Sequence, residues 1–115
     1  MKIAQIAPLI ESVPPRLYGG TERIVSYLTE ALVGLGHDVT LFASGDSITS
    51  AKLAPICREA LRLTRSVQDH VPYHLLMLKE VRRRASEFDL LHFHIDHLHF
   101  PIFSGTRHPV LTTLH

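Results

Sequence analysis

The sequence predicts an α/β fold, a Rossmann-like doubly wound parallel sheet in one domain of residues 1–115, and three observations lead to it. Strand-like and helix-like segments alternate along the chain. The first segment, Lys2–Ala7, is apolar on both faces, as is typical of the central strand of a parallel sheet. The second has apolar residues at helical spacing. Right-handed crossovers then favour the strand order 3-2-1-4, with the first strand central.

The first helix is predicted at Thr21–Leu35. Thr21 is a suitable N-cap, and Gly36 is placed to end the helix. Six apolar residues recur at helical spacing and predict one stripe against the sheet. They are Ile24, Val25, Leu28, Ala31, Leu32 and Leu35.

Three further strands and one long helix complete the predicted sheet. The strands are Asp38–Ala43, Asp89–His94 and Val110–Leu114, and the long helix is Pro72–Phe88. The pattern in residues 48–71 is weak and indicates only a short helix near Arg58–Leu63. We expect the first two helices to cover one face of the sheet, and only the short segment 95–104 to cover the other.

The fourth predicted strand is expected at an exposed edge, with Val110, Leu111 and Leu114 uncovered. Parallel sheets are normally buried on both faces. One under-covered face and one open edge therefore indicate the front part of a larger domain. This interpretation predicts that the isolated chain associates with itself through its uncovered face.

The composition excludes several classes of function. A net charge of +1 gives no indication of binding to nucleic acid or to an anionic membrane. No apolar run approaches the roughly 18 residues of a membrane span. The chain has one cysteine, Cys57, which permits no internal disulfide and suits a reducing compartment. We therefore expect a cytoplasmic protein.

The loop after the first strand ends in Gly19-Gly20, directly before the first predicted helix. Glycine lets the backbone approach a ligand closely, and free N–H groups at a helix start favour an anion such as phosphate. Gly19, Gly20 and Thr21 are therefore candidate binding residues, and a loop that needs glycine only for its turn is an equal alternative. The spacing matches neither the P-loop nor the dinucleotide-binding motif.

Five potential metal ligands occur within eight residues: His92, His94, Asp96, His97 and His99. Their spacing matches no standard structural zinc site, so buried histidines or polar groups lining a cleft are favoured over a metal. His92 and His94 share one face of the third predicted strand. His94, Asp96 and His97 are expected at the cleft beyond the strand ends, and His115 reaches the same edge from the fourth strand.

Together these segments resemble the N-terminal domain of retaining GT-B glycosyltransferases of the family 4 type, a group related to glycogen and sucrose synthases. The matching segments are Lys2–Pro8, Pro14–Arg23, Leu32–Val39, Asp89–His94 and Pro109–His115. They span nearly the whole chain in the family's order, and Tyr18–Arg23 is the most specific of them.

The resemblance implies a two-domain enzyme that moves a hexosyl group from a nucleotide-sugar donor to an acceptor with retention. The N-terminal domain mainly binds the acceptor, and a C-terminal domain mainly holds the donor. Gly19 and Gly20 match the loop that approaches the donor phosphates, and His115 matches the histidine that contacts the transferred sugar. Asp96 lies near the acceptor-side polar residues, and Asp96 and His115 are the candidate catalytic residues. No metal cofactor is implied.

The same resemblance places the acidic Glu-x7-Glu motif and the groups that stabilise the leaving diphosphate in the C-terminal domain, beyond residue 115. We therefore expect the chain alone to be inactive. Two alternatives remain open from the residues themselves. One is a small nucleotide- or phosphosugar-binding module that acts with a partner chain. The other is a structural Rossmann-like domain without a ligand.

Overall fold

The computed structural model describes residues 1–115, and its five strands form one parallel sheet. The strands are β1 (Lys2–Ile6), β2 (Asp38–Ala43), β3 (Lys52–Pro55), β4 (Leu90–Phe93) and β5 (Val110–Thr112). The helices are α1 (Gly20–Gly34), α2 (Val71–Arg84) and α3 (Phe100–Phe103), with single 3-10 turns at Leu61–Leu63 and Ala85–Glu87. The order across the sheet is β3-β2-β1-β4-β5, which confirms the predicted Rossmann-like fold.

The predicted order 3-2-1-4 is observed, but a different segment supplies the third strand. It is β3, which lies where the sequence pattern predicted no strand. The strand predicted as third, β4, pairs with β1 instead of β2, and its Leu90 lies opposite Ile3. We attribute the error to the character of β3: it has four residues, none of them fully buried, and ends at Pro55 on the sheet edge.

The two long helices lie on opposite faces, and the prediction that both cover one face is wrong. One core cluster joins Phe42 of β2 and Phe93 of β4 to Leu78 of α2. A second, smaller cluster joins Leu41 of β2 to Val25 of α1. The missed strand explains the difference. The chain moves outward across the sheet from β1 to β3 and then returns to the other side of β1, where it forms β4. Because this return runs in the opposite direction, a right-handed crossover places its helix, α2, on the other face of the sheet.

Only part of the predicted apolar stripe of α1 faces the sheet. Val25 is fully buried, whereas Ile24 and Leu35 are 49% and 75% exposed. The face against the sheet carries polar residues beside Val25, namely Glu22, Ser26 and Thr29. The helix therefore presents an apolar flank to solvent.

β5 is an exposed edge strand, as predicted, and its Val110 and Leu111 are both partly exposed. Histidine side chains connect it to the rest of the sheet on both faces. His92 bonds Thr113 through its Nε2 at 2.7 Å, and His99 bonds Thr112 in the same way at 2.7 Å. No helix in the structure is both long enough and apolar enough to cross a membrane.

Candidate functional site

A cleft of about 280 Å³ lies at the carboxyl edge of the sheet, where β1 and β4 end. β1 has β2 on one side and β4 on the other, so this is the switch point of the strand order. The amino ends of α1 and α2 border the same cleft. Four of the six predicted binding residues line it: Thr21, His94, Asp96 and His115.

The two glycines form the turn that starts α1, and they differ in their surroundings. Gly19 has a φ of 145°, which side chains rarely permit, and a Cβ there would lie 3.0 Å from the Cβ of Pro15. Gly20 has open space where its Cβ would be. A ligand can therefore approach the backbone at Gly20, while Gly19 is needed for the shape of the turn.

Thr21 is not the N-cap that the sequence predicted. α1 begins at Gly20, its N-cap is Gly19, and no side chain caps it. The N–H groups of the first turn therefore keep their hydrogen-bonding capacity, and the positive end of the helix dipole lies beside them. Of these first-turn residues Thr21 lines the cleft, so this is the part of the cleft that suits an anion.

His94 is the most buried of the predicted site residues, with 2% of its surface exposed. Its Nε2 lies 2.7 Å from the amide oxygen of Gln5, and its Nδ1 lies 3.2 Å from the Nε2 of His115. Burial, with smaller contributions from the charges of His92 and His115, lowers the pKa of His94 to about 3. The ring is therefore neutral near pH 7 and connects a central strand to the cleft.

Asp96 follows β4 with an unusual backbone conformation. Its φ is 57°, and it is the one residue other than glycine with a positive φ. This left-handed conformation costs roughly 1–2 kcal/mol for most side chains, although aspartate tolerates it better. The exposed carboxyl group lines the cleft and makes no hydrogen bond within the protein. Backbone strain of this kind is common at ligand sites.

His70 and His74, at the start of α2, also line the cleft, and sequence reasoning missed both. The N–H of Leu9 donates to Nε2 of His74 at 3.0 Å, so Nδ1 carries the proton and donates to the carbonyl of His70 at 2.8 Å. Burial lowers the pKa of His74, which agrees with a neutral ring. His74 therefore ties the loop after β1 to α2. Because helices that connect parallel strands begin at the carboxyl edge of the sheet, residues at the start of a predicted helix are expected near the cleft, and both histidines could have been found in this way.

The three other histidines of the 92–99 cluster, His92, His97 and His99, lie outside the cleft. The prediction that His97 faces the cleft is wrong, because its ring is exposed and contacts the edge of Phe100. His99 stacks on Phe93 with the ring centroids 4.1 Å apart, on the face that α2 covers. No three histidine, cysteine, aspartate or glutamate side chains are grouped so that they could hold a metal ion.

A second cavity, of about 440 Å³, lies between the loop after β1 and the segment that precedes α2. Leu17 and Tyr18 line it although both are more than 80% exposed. An ion pair between Glu11 and Arg62 joins its two walls, as do backbone bonds from Leu61 and Arg62 to the loop after β1. Arg16 also lines this cavity and forms no ion pair. The cavity is therefore preformed and partly apolar. Its Arg16 side chain is free to form an ion pair with a negatively charged ligand.

Comparison with known proteins gives one family and one fold. The model of Glycosyltransferase Family 4 matches residues 18–115, from Tyr18 beside the glycine turn to His115. Among solved structures, AviGT4, a glycosyltransferase involved in avilamycin A biosynthesis, is similar with a TM-score of 0.62 and 22% sequence identity. The alignment covers 100% of this chain and 32% of AviGT4, so the chain spans about a third of that protein's length. Comparison with curated protein sequences gives no match.

Proposed function

Because the chain belongs to Glycosyltransferase Family 4, we propose that it forms the N-terminal domain of a GT-B enzyme that transfers a hexosyl group from a nucleotide-sugar donor with retention. The cleft at the ends of β1 and β4 is the observation that supports this proposal. There the uncapped start of α1 lies beside the rings of His94 and His115 in about 280 Å³ of space. A phosphate with an attached sugar suits such a place.

The donor phosphates are proposed to lie at the start of α1. Gly20 leaves its backbone open, and the N–H groups of the first turn are free to donate. The transferred sugar then extends towards His115, whose ring has one nitrogen without a protein partner. Thr21 borders both parts of this arrangement.

The acceptor is proposed to bind in the second cavity. Its walls come from the loop after β1 and from the segment that begins at Asp46, the two regions without a specificity pattern in the sequence. Tyr18 lines this cavity and Thr21 lines the cleft, so the glycine turn separates the two spaces by only a few residues. We propose that an acceptor bound there reaches across this turn to the donor sugar. Asp96 is proposed to contribute on the acceptor side of the cleft.

The proposed chemistry needs no enzymic nucleophile in this chain. In front-face attack the acceptor oxygen bonds to the anomeric carbon, the bond to the diphosphate breaks on the same face, and the diphosphate oxygen takes the acceptor proton. Most of the stabilisation of the leaving diphosphate is assigned to a second domain. The chain alone is therefore expected to release no nucleoside diphosphate from a sugar donor, and no metal cofactor is proposed.

An NMR titration of the chain with a nucleotide sugar tests the proposal. With only half of a donor site, we expect weak binding, with a Kd near 1 mM or about 4 kcal/mol. The perturbed signals are expected at the amides of residues 20–22 and at the ring of His115. Gly20→Trp should abolish the perturbation by filling the open space. Gly34→Trp is the matched control, because Gly34 lies at the other end of α1 and also has open space around it.

Two outcomes would contradict the proposal. Unchanged amide signals in residues 20–22 at saturating donor would leave a structural domain as the better explanation. Binding a thousandfold tighter by the chain alone would favour the phosphosugar-binding module, since half of a split site cannot supply the corresponding additional 4 kcal/mol or so.

A further inference from the structure

We propose that Gln5 and His94 are positioning residues for His115, and that they hold its ring so that Nδ1 accepts a hydrogen bond from the ligand. This inference rests on the proposed function, in which His115 contacts the transferred sugar. The new element is a chain of three side chains that runs from the buried Gln5 of the central strand through the buried His94 to the exposed His115 at the cleft. It assigns a function to a glutamine that is fully buried in the central strand.

The first link of the chain is fully buried. Gln5 lies in β1 with no exposed surface, and the backbone N–H of His94 donates to the carbonyl of Ile6 at 3.0 Å. The ring of His94 also contacts the ring of His92, with 4.0 Å between centroids, and His92 is held by its bond to Thr113. The His94 ring therefore has little freedom to turn.

The hydrogen-bonding roles follow from the partners. The amide oxygen of Gln5 can only accept, so the Nε2 of His94 carries the proton and donates to it at 2.7 Å. The Nδ1 of a neutral His94 then has only a lone pair. Its 3.2 Å contact consequently requires the Nε2–H of His115 as donor.

This arrangement determines what His115 offers to a ligand. With its proton on Nε2, a neutral His115 has an unprotonated Nδ1, and no protein group bonds to that nitrogen. An unprotonated imidazole nitrogen accepts a hydrogen bond from a hydroxyl or amide N–H and gives none to a phosphate. The site therefore selects a hydroxyl of the sugar at this position, and the phosphates are left to the start of α1.

The tautomers can be measured without any ligand, by long-range ¹H–¹⁵N NMR of the imidazole rings. We expect His94 and His115 each to be protonated at Nε2 only. Gln5→Leu should move both nitrogens of His115 towards averaged shifts, and Gln5→Glu should restore the wild-type pattern because a carboxylate also accepts. A proton on the Nδ1 of His115 in the wild-type protein would overturn the inference, since it would show the chain of hydrogen bonds running in the opposite direction.

A double-mutant cycle on donor binding tests whether His94 acts through His115. His94→Phe should weaken binding of the nucleotide sugar about 3- to 10-fold, the usual value of one neutral hydrogen bond. In the His115→Ala background the same change should have no further effect. Equal losses in both backgrounds would overturn the inference. His108→Phe is the control, because the side chain of His108 makes no hydrogen bond and does not line the cleft, so binding should be unchanged.

The two proposals can fail separately. If the tautomers are as expected but no donor perturbs residues 20–22, the positioning stands and the proposed function fails. If the donor binds and Gly20→Trp blocks it while Gln5→Leu leaves the shifts of His115 unchanged, the function stands and the positioning fails.

Discussion

Acidification is expected to destabilise the protein mainly through His94. The ring is buried and neutral in the folded state, where its pKa is about 3, whereas in the unfolded chain it titrates near 6.5. A depressed folded-state pKa means that stability is fully present above pH 6.5 and is lost as the pH falls from 6.5 towards 3. Proton linkage gives a loss of about 2.5 kcal/mol in the free energy of unfolding between pH 7 and pH 4.5.

Three other histidines add to this loss, and one acid opposes it. Burial lowers the pKa of His74, His92 and His99, so each prefers the neutral form in the folded state. Glu22 has the opposite sign, because burial raises its pKa and its protonation in acid favours folding. For a domain with a free energy of unfolding of roughly 5–15 kcal/mol, a loss of this size is large.

Urea unfolding at pH 7 and pH 4.5, followed by circular dichroism, measures the effect. In His94→Phe the ring that titrates is absent, so the difference between the two pH values should shrink by about 2.5 kcal/mol. His108→Phe is the control and should keep the wild-type difference, since the side chain of His108 makes no hydrogen bond. An NMR titration in which folded His94 protonates near pH 6.5 would refute the reasoning, as would equal pH dependence in both variants.

Three pairs of substitutions test the packing and the backbone, each by urea unfolding at pH 7. Gly19→Ala should destabilise by about 1–2 kcal/mol because of its positive φ, whereas Gly20→Ala, in open space within α1, should not; equal losses would contradict the turn geometry. Asp96→Gly should raise the free energy of unfolding by about 1 kcal/mol, and Asp96→Ala should not, since only glycine relieves the left-handed backbone. A loss of stability in the glycine variant would show that the carboxyl group holds the turn. Leu78→Ala should cost about 2–5 kcal/mol, against less than about 1 for the half-exposed Leu75→Ala on the same helix; similar costs would show that α2 is misplaced.

The elements that the sequence predicted well are those with a strong local pattern. β1 is mostly apolar, with Ile3, Ala4 and Ile6, and α1 has apolar residues at helical spacing followed by Gly36. β3 has no such pattern: it is short, half-exposed and ends in Pro55. Missing that one strand reversed the predicted path of the chain and thus placed α2 on the wrong face.

The site was predictable where it depended on strand ends alone. His94 ends a predicted strand, and Asp96 and His115 lie just beyond predicted strands, so their common edge could be inferred from topology. Gln5 could not be found in this way, because a single polar residue in a buried strand has no signal for its partner 89 residues away. The binding roles of all these residues remain predictions until a ligand is tested.

The histidine–threonine bonds of β5 have a consequence for the order in which the protein opens. β5 has only three residues, lies at the edge and is fastened on both faces by the rings of His92 and His99. Short edge strands with few backbone bonds open at lower free energy than the core, and amide hydrogen exchange reports this directly. When β5 opens, His115 leaves the cleft while the clusters around Leu78 and Val25 persist. Ligand binding should therefore disappear on heating or acidification before the sheet itself melts, and the amides of residues 110–113 should exchange first.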